Sequence, residues 1–275
     1  MKEERKRKLL LLAGIIFILF FCLSPFIWMV VVSLTDSADF LVRGTFNLTL
    51  KNYVDILRLK NLHFKDYLKN SLVVAASASV FSATIAAFCA YAISRFRFKM
   101  RLLIVLAVLA LSMFPQISMI GYLFKFMSKI GWVNTYLALI FPYASLMLPL
   151  GLWLLLSYFS QIPQEIDKAA LVDGASRLQI LLRIILPLSL PGFLSTILLL
   201  FVFSFNEFLF ALMLTTDFHA RTVPVGIALF EGLHGVIPWG YIMAASIISS
   251  IPLIIIALFF QRYIIQGLTG ASLKR

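Results

Sequence analysis

Side chains able to do chemistry are sparse in this sequence, and few are spaced to act together. Glu207 is the acidic residue most clearly set inside an apolar run, with Asn206 beside it. At membrane depth such groups face a protein interior or water. They can hydrogen-bond a polar solute, carry a proton, or only tie helices together. Phe203, Phe205, Phe208 and Phe210 crowd the same stretch. His63, His219 and His234 fall in polar loops without ligand spacing, and Cys22 and Cys89 sit in apolar runs as packed thiols. The pattern therefore assigns no catalytic residue and no metal site. It also contains no Gly-x-x-x-x-Gly-Lys-Ser/Thr phosphate loop.

The second chemically distinctive stretch is Ile162 to Pro187, the longest polar-rich segment in the second half of the chain. Pro163 suits the first turn of a helix, where its missing N–H costs nothing. Glu165 and Asp167 follow early, where the helix dipole favours negative charge. Ile162, Ile166, Ala169 and Ala170 recur at three- and four-residue steps and share a face. Asp173 and Gly174 come next, and Gly174 stands where a left-handed cap is often needed. Ser176 and Gln179 have the spacing of a capping box for a second helix. Leu178, Leu181, Leu182 and Ile185 form its apolar stripe, and Pro187 closes it. The segment reads as helix, glycine turn, helix: a knuckle at the membrane surface, either a docking element or an ordinary amphipathic connector.

What must position these residues is a set of membrane helices. Of 275 residues, 61% are hydrophobic and only 13% charged, where a soluble domain has roughly 25% charged. The apolar residues fall in blocks near the roughly 20 residues that a spanning helix needs. The chain reads as an all-α integral membrane protein with six transmembrane helices. The expected order is a basic tail (1–8), a first transmembrane helix (9–33), an external loop (34–70), a core (71–262) carrying the polar loop (160–190), and a C-terminal tail (263–275). Pro25 is tolerable inside the first span. The second span, about 71–94, is rich in small residues that permit close helix packing. Pro115 interrupts the third, as a kink or as an irregular segment lining a path, and 121–129 follows as an amphipathic surface helix. The fourth span is 136–158, the fifth about 192–214, and the sixth about 240–260.

The formal net charge of +12 follows from topology, because Lys and Arg accumulate in cytoplasmic segments. No nucleic-acid partner is needed to explain it. With both termini inside, the cytoplasmic segments hold 15 of the 24 Lys and Arg residues. The external loop after the first span opposes the rule, with six Lys or Arg of its own.

At the knuckle the sequence resembles the cytoplasmic EAA loop of binding-protein-dependent ABC importer permeases. Lys168-Ala169-Ala170, three residues, then Gly174, and later Ile184-Ile185-Leu186-Pro187 follow that pattern. One departure stands out: Lys168 occupies the position of the family's glutamate. Asn70-Ser71-Leu72, Tyr91-Ala92-Ile93-Ser94-Arg95, the Gly131–Tyr136 run, Thr222-Val223-Pro224-Val225-Gly226 and the Gln261–Thr269 run are similar to those of carbohydrate permeases of the maltose type, specifically the smaller six-span partner of a pair.

The resemblance implies a type I ABC importer permease fold in the plasma membrane of a prokaryote, with both termini cytoplasmic. It implies a heterodimer with a second permease subunit, a dimer of ATP-binding subunits and an external sugar-binding protein. ATP and magnesium would be held by the partner ATPase, so this chain would be no enzyme. Glu165, Asp167, Lys168, Ala169, Ala170, Asp173, Gly174 and Pro187 would couple to that ATPase. Asn206 and Glu207 would line the substrate path, for maltose, trehalose or a related oligosaccharide. The alternative is a proton-coupled secondary transporter using Glu207, although no basic partner or second acid lies inside another span.

Overall fold

The computed structural model describes residues 2–35, 47–96, 98–230 and 237–270. Asp36, Asp39, Arg97, Glu231, His234, Lys274 and Arg275 lie outside them. Twelve helical elements are used below. They are α1 (Lys2–Ser33), α2 (Lys51–Arg58), α3 (Phe64–Arg95), α4 (Arg101–Ser112), α5 (Ile117–Lys129), α6 (Tyr136–Gln161), α7 (Gln164–Val172), α8 (Arg177–Leu188), α9 (Leu190–Phe205), α10 (Leu209–Leu214), α11 (Val223–Ala228) and α12 (Trp239–Gly270).

Two compact units divide the chain: residues up to Phe64 with Ile227–Ile251, and Lys65–Gly226 with the residues from Pro252 onward. In the first unit α1 leaves nearly all its apolar side chains exposed. It is helical from Lys2 to Ser33. Within the expected external loop, Lys51–Arg58 form the short helix α2. Its buried Asn52 donates to the Ser33 and Thr35 carbonyls, each at 2.8 Å. Tyr53 and Ser33 hydroxyls pair at 2.6 Å, and Tyr241 donates to Asp55 Oδ2 at 2.9 Å. These bonds fasten α2 to the end of α1 and the start of α12. A Cβ added to Gly240 would lie 2.6 Å from the Asn52 amide nitrogen, so only glycine allows that approach.

The second unit is built on α3, which begins at Phe64, several residues before the span expected from Ser71. Ala75, Ala78, Ala83, Ala86, Ala87 and Ala90 are all buried along it. Their short side chains let neighbouring backbones close in, the packing mode available where lipid supplies no hydrophobic drive. Ser82 donates to the Ala144 carbonyl of α6 at 3.0 Å. Gly151 of α6 brings its backbone to 3.3 Å from Ala86 Cβ, measured from where its own Cβ would stand. One apolar cluster joins Ala86, Ala90 and Ile93 of α3 to Leu155 and Phe159 of α6, Ala170 of α7, and Ile180, Leu181 and Ile185 of α8. A second joins Val74 and Ala78 to Leu139 and Tyr143 of α6, Phe210 and Leu214 of α10, and Val225 of α11.

Among the described residues four stretches are long and apolar enough to cross a membrane: Lys6–Ser33, Lys60–Arg95, Tyr136–Gln161 and Trp239–Gln261. Two bent pairs raise this to six if each is one span: α4 with α5 at 89° and α8 with α9 at 83°. The Pro115 interruption is thus a near right-angle turn through residues 113–116, beyond what a proline kink alone produces. The fifth span differs from the expected 192–214. It stops at Phe205, passes Asn206 to Phe208 without regular helix, and resumes as α10. Pro142 and Pro149 sit inside a helix that continues to Gln161, and α12 runs unbroken to Gly270, into the expected C-terminal tail.

Candidate functional site

The knuckle forms for local reasons legible in its residues. Pro163, extended at ψ 136°, starts α7, and Glu165 and Asp167 lie in its first turn. The helix ends on Gly174 at φ +84°. Ala175 N donates to the Ala170 carbonyl at 2.9 Å and Gly174 N to Leu171 at 3.1 Å, the paired bonds of a Schellman cap. Ser176 and Gln179 then close a complete capping box, which satisfies donors that a helix start otherwise leaves open.

Burial sorts the expected coupling residues into two sets. Glu165, Lys168, Ala169, Asp173, Gly174 and Pro187 are exposed, and Val172 is 88% exposed. Asp167 and Ala170 face inward. Asp167 Oδ2 lies 3.1 Å from Arg95 Nε, with both side chains nearly inaccessible. Tyr91 donates to Asp167 Oδ1 at 3.1 Å, and Arg95 donates to the Ile162 carbonyl at 3.1 Å. Arg95 and Tyr91 were not singled out as site residues by sequence. The signal available was an arginine closing the Tyr91–Arg95 run, at the same end of the molecule as an acid-bearing loop. The α8 stripe is also rotated from expectation. Leu181 and Ile185 are buried with Ile180, whereas Leu178 and Leu182 are about half exposed.

Asn206 and Glu207 stand together at the break between α9 and α10 but point to different surroundings. Asn206 is exposed and donates to the Val202 carbonyl at 2.8 Å. Glu207 is buried, and its oxygens accept the N–H groups of Phe210 at 2.9 Å and Ala211 at 3.3 Å. A carboxylate there satisfies the open donors of α10 and complements its dipole. It therefore shapes the break as well as bearing charge.

At the opposite end of α6 a polar clamp gathers residues that sequence reading did not connect. Asn134, at φ +63°, donates to Asp217 Oδ1 at 2.8 Å and accepts from the Thr216 and Asp217 N–H groups. Asn70 donates to the Phe218 and Arg221 carbonyls and accepts from the Tyr136 hydroxyl. The Asn134 amide, then the His219 N–H and ring, hold the Asp217 carboxyl at about 2, below its ordinary 3.8. Among the described residues no cluster of three or more His, Cys, Asp or Glu side chains is arranged to hold a metal ion.

Long apolar helices, two sharply bent helix pairs and a capped polar knuckle packed against that core mark a polytopic membrane protein. Residues 79–270 match the family described as binding-protein-dependent transport system inner membrane component, and the chain belongs to that family. It is 57% identical to the trehalose/maltose transport system permease protein MalG of Thermococcus litoralis, covering 100% of this chain and 99% of that protein. It is 36% identical to the trehalose transport system permease protein SugB of Mycobacterium tuberculosis, covering 92% and 93%. Its fold matches that of a chain of a bacterial ABC transporter involved in the import of the acidic polysaccharide alginate, with a TM-score of 0.78 at 22% identity over 96% of this chain and 98% of that one. It is accordingly an all-α, multi-pass plasma-membrane protein with the ABC importer permease fold.

Proposed function

We propose that this chain is the smaller of two permease subunits in an ATP-driven importer of trehalose, maltose or a related oligosaccharide. The observation that carries the reading is end-to-end 57% identity to a permease named for those sugars. The knuckle geometry supports the division of labour. Its outward side offers Glu165, Lys168, Ala169 and Asp173 to a partner, while its inward side is continuous with the span core. On this reading an ATP-binding subunit seats the knuckle, holds the ATP and magnesium, and performs the hydrolysis. An external sugar-binding protein delivers substrate to the far side. Both termini and the 160–190 loop are cytoplasmic, and 34–70 is external. The contact between Arg95 and the knuckle puts the basic turn after α3 at the knuckle's end, which supports that orientation.

Lys168 in place of glutamate reverses the charge at one exposed docking position. The partner surface there should carry an acid or a carbonyl rather than a base. In the path, Asn206 is the exposed hydrogen-bonding group, and Glu207 sets the helix break that presents it. With both oxygens engaged by α10, Glu207 is less suited to shuttle protons.

The test is co-expression with the ATP-binding subunit and second permease, followed by reconstitution. The complex should co-purify, and binding protein loaded with trehalose or maltose should stimulate its ATP hydrolysis. Uptake of either sugar by this chain alone, driven by a proton gradient, would overturn the proposal.

A further inference from the structure

The knuckle is fastened to one span by charge. Arg95 and Asp167 are 3% and 4% exposed, with Nε and Oδ2 3.1 Å apart. Those two atoms meet as charges and not as an aligned hydrogen bond. Tyr91 binds the other Asp167 oxygen, Arg95 also holds the Ile162 carbonyl, and Gln164 reaches the Ser94 carbonyl at 3.5 Å. The Arg177 guanidinium lies over the Phe96 ring, 5.5 Å from its centroid. Every one of these contacts joins the last turn of α3, or the residue after it, to the segment between Ile162 and Arg177.

A buried ion pair is a poor device for stability alone. Desolvation offsets most of its attraction, and well-packed apolar residues of similar volume often serve as well or better. What the pair adds is resistance to separation, because either charge left alone in a dry site is strongly disfavoured. It therefore holds the knuckle and α3 at one geometry. Further along, α3 is packed by its alanines, and Ser82 binds α6. The contacts from the knuckle thus continue through α3 to α6.

We propose that Arg95 and Asp167 are positioning residues for transport, forming the tie through which movement of the knuckle is imposed on α3. This rests on the importer reading. Sugar-stimulated hydrolysis by the wild-type complex tests that reading, and variants within the complex test the tie. The decisive variant replaces both charges, Arg95→Met with Asp167→Leu, which leaves no orphan charge and so is expected to fold. Glu165, Lys168 and Ala169 remain, so the ATP-binding subunit should be recovered in native amount. The uptake of trehalose per ATP hydrolysed should fall about tenfold or more, within the usual range of coupling between sites.

The exchanged pair, Arg95→Asp with Asp167→Arg, should recover a higher ratio than Asp167→Arg alone. A merely structural role would lower the amount of complex recovered without changing uptake per ATP. Native uptake per ATP in the apolar variant would overturn the proposal, as would an exchanged pair no better than its single parent. A wild-type chain that recruits no ATP-binding subunit would overturn both readings together.

Discussion

Gly174 sets the angle between the two knuckle helices, so a graded series at this position tests whether that angle matters. Its φ is +84°, and a Cβ added there meets nothing within 4 Å. Alanine is therefore disfavoured by backbone conformation alone, at roughly 1–2 kcal/mol. Part of that, about 0.4–1 kcal/mol, is returned by a less flexible unfolded chain. The net loss is about 1 kcal/mol, enough for roughly a fivefold shift between capped and uncapped states. Asparagine visits the left-handed region more readily and should lose less. Proline is fixed near φ −65° and also deletes the Gly174 N–H bond to Leu171. The expected order is glycine, asparagine, alanine, then proline, read as ATP-binding subunit recovered and as hydrolysis stimulated by loaded binding protein. Gly174→Pro should insert in the membrane normally yet abolish assembly or coupling. Normal uptake in Gly174→Pro, or alanine outperforming asparagine, would refute the reasoning.

Glu207→Gln keeps an acceptor for α10 but removes the charge at its start, so thermal stability in detergent should fall by about 1 kcal/mol. Sugar uptake should survive and stay indifferent to a proton gradient; gradient-driven uptake that disappears in the variant would favour a proton carrier instead. Gly240→Leu forces a side chain into Asn52, an overpacking that should cost about 1–3 kcal/mol and hasten proteolysis near residues 47–50 as α2 detaches. Asp217 titrates at about 2 instead of 3.8, so its native contacts favour the folded clamp above the ordinary value. That contribution is lost as pH falls through the depressed one. Fluorescence of the nearby Trp132 should hold steady from neutrality to pH 4 and change only toward pH 2, and a transition centred near 4 would contradict the assignment.

What the sequence made legible was mostly local. The capping box at Ser176 and Gln179 and the left-handed turn at Gly174 depend on a few adjacent residues, and both are present. The alanines of α3 signalled a buried helix because only small side chains allow such packing, and six of them are buried, whereas Ala76 is exposed. Where non-local forces decide, the sequence was less informative. A helical wheel placed Ala169 and Ala170 on one face, but Ala170 is buried and Ala169 exposed, with Asp167 drawn inward to Arg95. An ideal helix would align Leu178, Leu181, Leu182 and Ile185. The wider π-helical turn over Leu181–Ile185 shifts that register, as one extra residue per turn must. Pro115 announced an interruption, yet whether it bends slightly or turns 89° depends on neighbours that periodicity does not encode. Asn206 and Glu207 read as part of a continuous span, and the capping of α10 by Glu207 is visible only once that helix is known to restart.

The Arg95 contacts also bear on how the protein is made. Arg95 is synthesised 67 residues before Ile162, whose carbonyl it binds, and Asp167 comes later still. At about 5–20 residues per second, the end of α3 waits roughly 3–13 s for that partner. During that interval the guanidinium lacks its buried partner and must stay hydrated. Only when the loop after α6 emerges can the arginine be withdrawn from water. Assembly of this half of the molecule is thereby timed by the ribosome, and a codon change that slows synthesis between α4 and α7 would prolong exposure of an unfinished helix end.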